Sequence, residues 1–484
     1  MTTRHTDVLV IGGGPGGMSA AVAAAKSGAS VTLLEALAEI GGNAIWSTGY
    51  MAFIDTELQR QHGIEDSIEI FMSDARAEVD LQRGRYGIIW DEYMTRVFAE
   101  RSARTYDFLI EYGVEFGRFI RRPLQHTVDR MLNVVDTFGI QRAFLHAFSQ
   151  FGVNVELNTK AIRLVRSENR VSGVVASGPS GVTTWLASHG VILATGGYQA
   201  NPELRLRYQP EHLARTPYLG VHTCQGDGHL MAQSLGGDLI NMTMIQPLVI
   251  VGSALVEDSI AVNVKGERFH NEAGPYDDRV AALLSQPDRV GYYVFDHTTF
   301  TKRRHLVDQM PSPYIAAADH SELATQIGCD VAVLARTLAE WNSLLATTPQ
   351  QDSSFNRVIF NADGHGISDP PFYCSRMTLG TNFPSGGLRT TTTMNVVDVL
   401  GQPVLGLYAA GDTVGGVNPC LGLGGIHICT GLTLGALAGE SATNRAIGEV
   451  HELLAVNPLP RPRLTATRPT MAIVDLKDRK ADQD

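Results

Sequence analysis

Residues 7–35 read DVLVIGGGPGGMSAAVAAAKSGASVTLLE, and this stretch constrains the fold more than any other. The apolar run Val8 to Ile11 reads as a buried parallel strand. Gly12, Gly14 and Gly17 follow as GxGxxG, with Pro15 and Gly16 between them. Small residues from Ser19 to Ala25 let the next helix approach the sheet closely. A second strand, SVTLLE, ends at Glu35, 18 residues past Gly17, where an acid is placed to accept from ribose hydroxyls. A glycine triplet alone carries little weight. Strand, glycines, small-residue helix, second strand and terminal acid in this order predict a βαβ unit holding the ADP half of a dinucleotide. NAD and FAD both remain open at this point.

Further stretches decide for FAD. EIGGNAIWSTGYM carries Gly41, Gly42, Asn43 and Gly49, a second glycine-rich contact. GVILATGGY is a buried strand ending at Gly196 and Gly197, and a helix with a glycine-containing start follows at Asp227. LGLYAAGDTVGG is another such strand, ending at Gly411 and Asp412, an acid suited to the ribityl or pyrophosphate region. The glycine-rich turn GGVNPCLGLGGIHICTGLTLG comes last and contains no Asp, Glu, Lys or Arg.

In this order the elements resemble the fumarate reductase/succinate dehydrogenase flavoprotein superfamily over about residues 5–445. The resemblance implies an α/β fold: a Rossmann-like FAD-binding domain, discontinuous in sequence, with an inserted α+β capping domain that holds substrate. The corresponding division is 1–242 and 372–455 for the FAD-binding domain, 243–371 for the cap, and a peripheral tail over 456–484. Membrane-bound members attach FAD to a histidine near the segment 43–50. None stands there, so noncovalent FAD is expected. The late turn in this family faces the pyrimidine end of the isoalloxazine. The N–H groups of Gly425 and Ile426 would stabilise charge that appears only on reduction, so a neutral turn suffices.

The superfamily moves a hydride between flavin N5 and a carbon beta to a carbonyl. Fumarate reductases carry an arginine five residues past the Asn of RFxNE, another just before the late LGG, and a histidine before a GG pair. Tyr276, Gly422 and Phe383 occupy those places, which disfavours a dicarboxylate substrate. A tyrosine at the first position, and GGLRTT at 386–391, are similar to the 3-ketosteroid dehydrogenase branch. That branch's second tyrosine falls on Leu421 and its donor glycine on Gly425. The resemblance thus gives Tyr276 and Gly425 as catalytic, with Arg279 and His270 near enough in sequence to assist the tyrosine. GRFIRRPLQHTVDR crowds Arg118, Arg121, Arg122, His126 and Arg130 into one segment. It is either a surface cluster or a carboxylate clamp, with Arg121 and Arg122 as the clamp and His427 as a further substrate contact. The expected function is an FAD-dependent dehydrogenase that introduces a C=C bond alpha,beta to the carbonyl of a cyclic ketone. An oxocyclohexanecarboxylate or a ketosteroid would serve, with an external acceptor (quinone, dye or oxygen). The alternatives are an enoate or enone reductase of the fumarate reductase type and a flavin subunit without substrate chemistry.

Composition removes other classes. The 484 residues carry a formal charge of −11 and no basic stripe, which argues against nucleic acid. No apolar run reaches the roughly 18 residues that span a bilayer, and the N-terminus lacks a signal-peptide pattern, so a cytoplasmic protein with no membrane contact is expected. The five cysteines are scattered without metal-ligand spacing. Helical periodicity predicts two helices within 62–112 and one or two within 322–345. AVNVKGERFHNE predicts a strand, a turn and a second strand over 261–272.

Overall fold

The computed structural model describes residues 2–86, 88–120, 126–218, 220–249, 255–308, 312–347, 350–361, 363–417 and 423–451. Its main sheet runs, in spatial order, Asn395–Val397, Pro403–Ala409, Gly181–Leu193, Thr2–Ile11, Val31–Leu34, Asn154–Glu156. Every neighbouring pair is parallel except the first. The central strands are apolar on both faces because helices or a strand layer cover both sides: Val8, Leu9, Val10, Val191, Ile192 and Leu193 are all fully buried. Lys160–Ser167 and Arg170–Gly178 form an antiparallel meander that feeds Gly181–Leu193.

The first helix, Pro15–Lys26, and the late helix, Ile426–Asn444, lie against each other at backbone contact distance. A Cβ added to Gly435 would stand 2.3 Å from the Gly16 carbonyl oxygen, and one on Gly439 2.2 Å from that of Ala20. Gly431, Gly435 and Gly439 therefore line a seam that at Gly435 and Gly439 only bare backbone can fill. The two helices predicted within 62–112 are Ile68–Tyr86 and Glu92–Glu111.

A separate four-stranded antiparallel sheet orders as Ile260–Asn263, Gly291–Phe295, Phe372–Arg376, Tyr314–Ala317. Its apolar face packs on two helices, His320–Ile327 and Val331–Leu345. Gly328, at φ +81°, ends the first, and Asp330 caps the second by accepting from the N–H groups of Ala332 and Val333. The expected second strand of 261–272 does not form. Only one isolated bridge, Val262 to Arg268, survives, because the segment turns inward to build an ion cluster. Glu272 there accepts from Arg268 at 2.7 Å and from Arg357 at 2.8 Å, with Glu272 and Arg357 out of solvent. Among the described residues no helix is long and apolar enough to cross a membrane, and no His/Cys/Asp/Glu group could hold a metal.

Candidate functional site

The parallel strands end together at Ile11, Leu34, Leu193 and Ala409, the edge where doubly wound sheets bind ligands. At this edge the first helix begins after Gly14, which supplies no side-chain cap. A Cβ on Gly14 would meet nothing within 4 Å, whereas one on Gly16 would press within 2.8 Å of the Gly411 nitrogen. Gly14 therefore leaves open space above the unpaired N–H groups of a helix start, which Pro15 opens at the first helical position. Such a cradle fits a pyrophosphate.

Glu35 lies against this loop and is almost fully buried. It accepts from the N–H of Gly13 at 2.6 Å and of Leu37 at 2.8 Å, while burial pushes its pKa up. The acid thus fixes the glycine loop. Gly12 and Gly17 cross closely: a Cβ on Gly17 would stand 1.9 Å from the Gly12 oxygen. Gly41 donates to the Gly13 carbonyl at 2.7 Å, and Gly42 sits over Gly14. Gly196 accepts from Thr413 Oγ1 at 3.2 Å and is followed by Gly197, so the 196–197 and 411–413 turns are tied together.

Asn43 reaches outward. Its Nδ2 donates to the Tyr218 hydroxyl at 3.0 Å, and its Oδ1 accepts from the Val221 N–H at 2.8 Å. Cys224 is buried beside them, its Sγ 3.0 Å from a Cβ built on Gly196. Asp412 adjoins this group. Its carboxyl has no hydrogen-bond partner among the described residues, and burial raises its pKa to about 6. An acid left in this condition next to a glycine cradle fits a polyhydroxylated chain. No sequence signal pointed to Tyr218 or Cys224, because neither lies in a motif.

Two expected cofactor residues are engaged elsewhere. The Gly49 carbonyl accepts from the Val134 N–H at 2.8 Å, which joins strand segments. Asp227 opens a short helix and pairs with Lys160 at 2.9 Å.

The late helix starts after Gly425, at φ +82°, with Ile426 as its first residue. The Gly425 carbonyl accepts from the Ala52 N–H at 2.9 Å, and a Cβ there would lie 3.0 Å from that nitrogen. Nothing among the described residues accepts from the Gly425 N–H. His427 lies one residue on, its ring 3.7 Å from that of Phe383 between centroids. Tyr276 opens the helix Tyr276–Leu284, with Arg279 buried one turn later, but the Tyr276 side chain lies outside the described residues. So do Arg121, Arg122, Leu421 and Gly422.

The described remainder of the arginine segment is paired within the protein. Arg130 is fully buried, pairing with Asp66 at 2.8 Å and Asp74 at 2.5 Å. Arg118 pairs at 2.7 Å with the buried Glu257. His126 Nε2 meets the Gly424 carbonyl at 2.8 Å. Arg130 and His126 are buried and Arg118 is exposed, and each is committed to a protein partner.

Comparison with known proteins agrees with this geometry. A probable fumarate reductase of Shewanella frigidimarina is 29% identical over 466 residues, covering 92% of this chain and 76% of its own. A urocanate reductase of Eggerthella lenta is 30% identical over 468 residues, covering 91% and 75%. The open conformation of a flavocytochrome c3 fumarate reductase superposes with a TM-score of 0.73 at 28% identity, covering 91% of this chain and 78% of that one. A 3-ketosteroid-Δ4-(5α)-dehydrogenase of Rhodococcus jostii RHA1, at 23% identity and a TM-score of 0.65, covers 91% and 97% and shares the fold. The family model described as FAD binding domain matches residues 7–428. The chain belongs to that family: it is an FAD-dependent oxidoreductase acting on CH–CH groups.

Proposed function

We propose that the chain dehydrogenates a cyclic ketone, forming the C=C bond alpha,beta to its carbonyl. FAD, when bound, supplies the hydride acceptor at N5. The other groups belong to the chain. Tyr276 takes the proton from the carbon alpha to the carbonyl. A tyrosine's ordinary pKa near 10 is too high for a base at neutral pH, so a cation must assist. Arg279, one turn on along the same helix, is that cation. The Gly425 and Ile426 N–H groups, at the positive end of a 19-residue helix, would stabilise negative charge at the pyrimidine end of a bound flavin. Gly14, Glu35 and Asp412 would hold its pyrophosphate, ribose and ribityl parts. Arg121 and Arg122 would orient a carboxylate on the substrate, and an external acceptor removes the electrons.

The observation that carries the ketone reading is Tyr276 itself, together with Gly422 and Phe383. All three stand where a fumarate-type site has cationic or imidazole side chains. One finding favours a second reading, an enoate reductase: the relatives at 28–30% identity are named as reductases. Anaerobic mixing separates the two. A cyclic ketone that bleaches the oxidised holoenzyme supports dehydrogenation, and an enoate or enone that reoxidises the reduced holoenzyme supports reduction. A flavin that answers neither substrate class removes both and leaves the subunit without substrate chemistry.

A further inference from the structure

We infer that His126 is a positioning residue: it holds and polarises the Gly424–Gly425 peptide, so that the Gly425 N–H is presented to the flavin as a strengthened donor. The inference deepens the placement of the late turn given under the proposed function, and it rests on that placement.

The chain of contacts starts with charge. Arg130 makes a two-pronged pair with Asp66, Nε to Oδ2 at 3.0 Å and Nη2 to Oδ1 at 2.8 Å, and gives Nη1 to Asp74 at 2.5 Å. The same Nη1 lies 3.0 Å from His126 Nδ1. A guanidinium has only donors, so this ring nitrogen must accept. The proton of a neutral imidazole then resides on Nε2, which faces the Gly424 carbonyl at 2.8 Å and donates to it. Burial, reinforced by Arg130, lowers the His126 pKa to about 4, so the ring keeps this one tautomer at neutral pH.

The carbonyl of Gly424 and the N–H of Gly425 belong to one peptide unit. A hydrogen bond accepted at the oxygen draws electron density from the nitrogen and strengthens the N–H as a donor. Ala52 fixes the next unit by donating to the Gly425 carbonyl at 2.9 Å. The peptide is thus gripped on both sides. Gly425 can take the φ of +82° at the start of the helix, since it has no Cβ.

The test compares His126→Leu, which keeps volume but cannot donate, with His126→Gln, whose amide can both donate to Gly424 and accept from Arg130. Two readouts are taken on the holoenzyme: amide exchange of peptides spanning 423–428, and the flavin's two-electron midpoint potential with its affinity for sulfite. Strengthening of roughly 10–30% in one charge-assisted hydrogen bond corresponds to about a 1.3- to fivefold effect. The leucine variant should exchange faster at 423–428 and bind sulfite about 1.3- to fivefold more weakly. Its potential should fall by about 3–20 mV, the same factor converted for two electrons. Glutamine should restore all three. Unchanged exchange and potential in the leucine variant would overturn the inference. Faster exchange with an unchanged potential would overturn it differently, by showing that the turn His126 holds does not face the flavin. If the leucine variant gives no folded holoenzyme, His126→Asn, whose amide is too short to reach Gly424, takes its place.

Discussion

Asp412 lies in the 3-10 turn Gly411–Thr413 that follows a buried strand, with a carboxyl that no described side chain satisfies, and its pKa is raised to about 6 by burial alone. If FAD hydroxyls donate to it, the ionised form binds better and the pKa in the complex falls below that of the free protein. FAD affinity should then drop as pH decreases below about 6 and stay level above it. Asp412→Asn should flatten this profile, read by fluorescence titration of apoprotein with FAD between pH 5 and pH 8; an equally steep profile in the variant would remove the assignment. Tyr276→Phe tests the chemistry at the same scale. The variant should keep its FAD and its fold but lose about 10²–10⁴ in the rate of flavin reduction by substrate. Reduction at the wild-type rate would return Tyr276 to a packing role. The acid at the end of a strand was legible because strand, glycine and Asp fall in one window of sequence. The partnership of Asn43 with Tyr218 was not, since its two side chains are 175 residues apart and both types are common in loops.

At the scale of elements, the late glycine turn does two jobs that look alike in sequence. Gly425 serves a backbone angle, whereas Gly431, Gly435 and Gly439 serve contact with the first helix. The four-residue spacing of the last three places them on one helical face, so the seam can be read from sequence once the turn is separated from the helix. Gly435→Ala should therefore destabilise, although alanine is the better helix former by about 1 kcal/mol. Its methyl would stand 2.3 Å from the Gly16 oxygen, and the obstacle is backbone at both helices. Overpacking of this kind costs about 1–3 kcal/mol. The strain also displaces Gly16 beside the pyrophosphate cradle, so FAD release on warming should come earlier than in the wild type. A thermal midpoint equal to or above the wild type, followed by flavin fluorescence, would show that the helices can part without cost. The predicted strand over the second half of 261–272 failed for the opposite reason. Alternating residues signal a strand only when one face is apolar, and here Arg268 and Glu272 leave the ladder for a buried ion pair.

Taken whole, the molecule is a parallel sheet legible from its first 35 residues and a set of long-range polar ties that are not. Arg130 meets Asp74 across 56 residues and His126 meets Gly424 across 298, and no local pattern marks either pair. These ties leave a signature in the acid stability of the whole fold. His126 has a folded pKa of about 4 against an ordinary 6.5. The folded state therefore resists a proton that the unfolded chain accepts. Its contribution is complete above pH 6.5 and is lost progressively as pH falls toward 4. Two and a half units correspond to about 3 kcal/mol, a large part of the 5–15 kcal/mol that holds a typical domain. The groups facing the ring are Arg130, Asp66, Asp74 and the Gly424 carbonyl. Buried acids such as Glu35, Asp91 and Asp412, with raised pKa values, act in the opposite sense, so the pH dependence of the wild type alone does not isolate the histidine. The difference between wild type and His126→Gln does, because every other titrating group is common to both. Urea midpoints of the two proteins, measured at half-unit steps from pH 7.5 to pH 4, should show the wild type losing about 3 kcal/mol relative to the variant, with most of the loss between pH 6 and pH 4.5. A constant difference across that range would mean that His126 accepts a proton in the folded protein, and that its Nδ1 does not face a permanently charged Arg130.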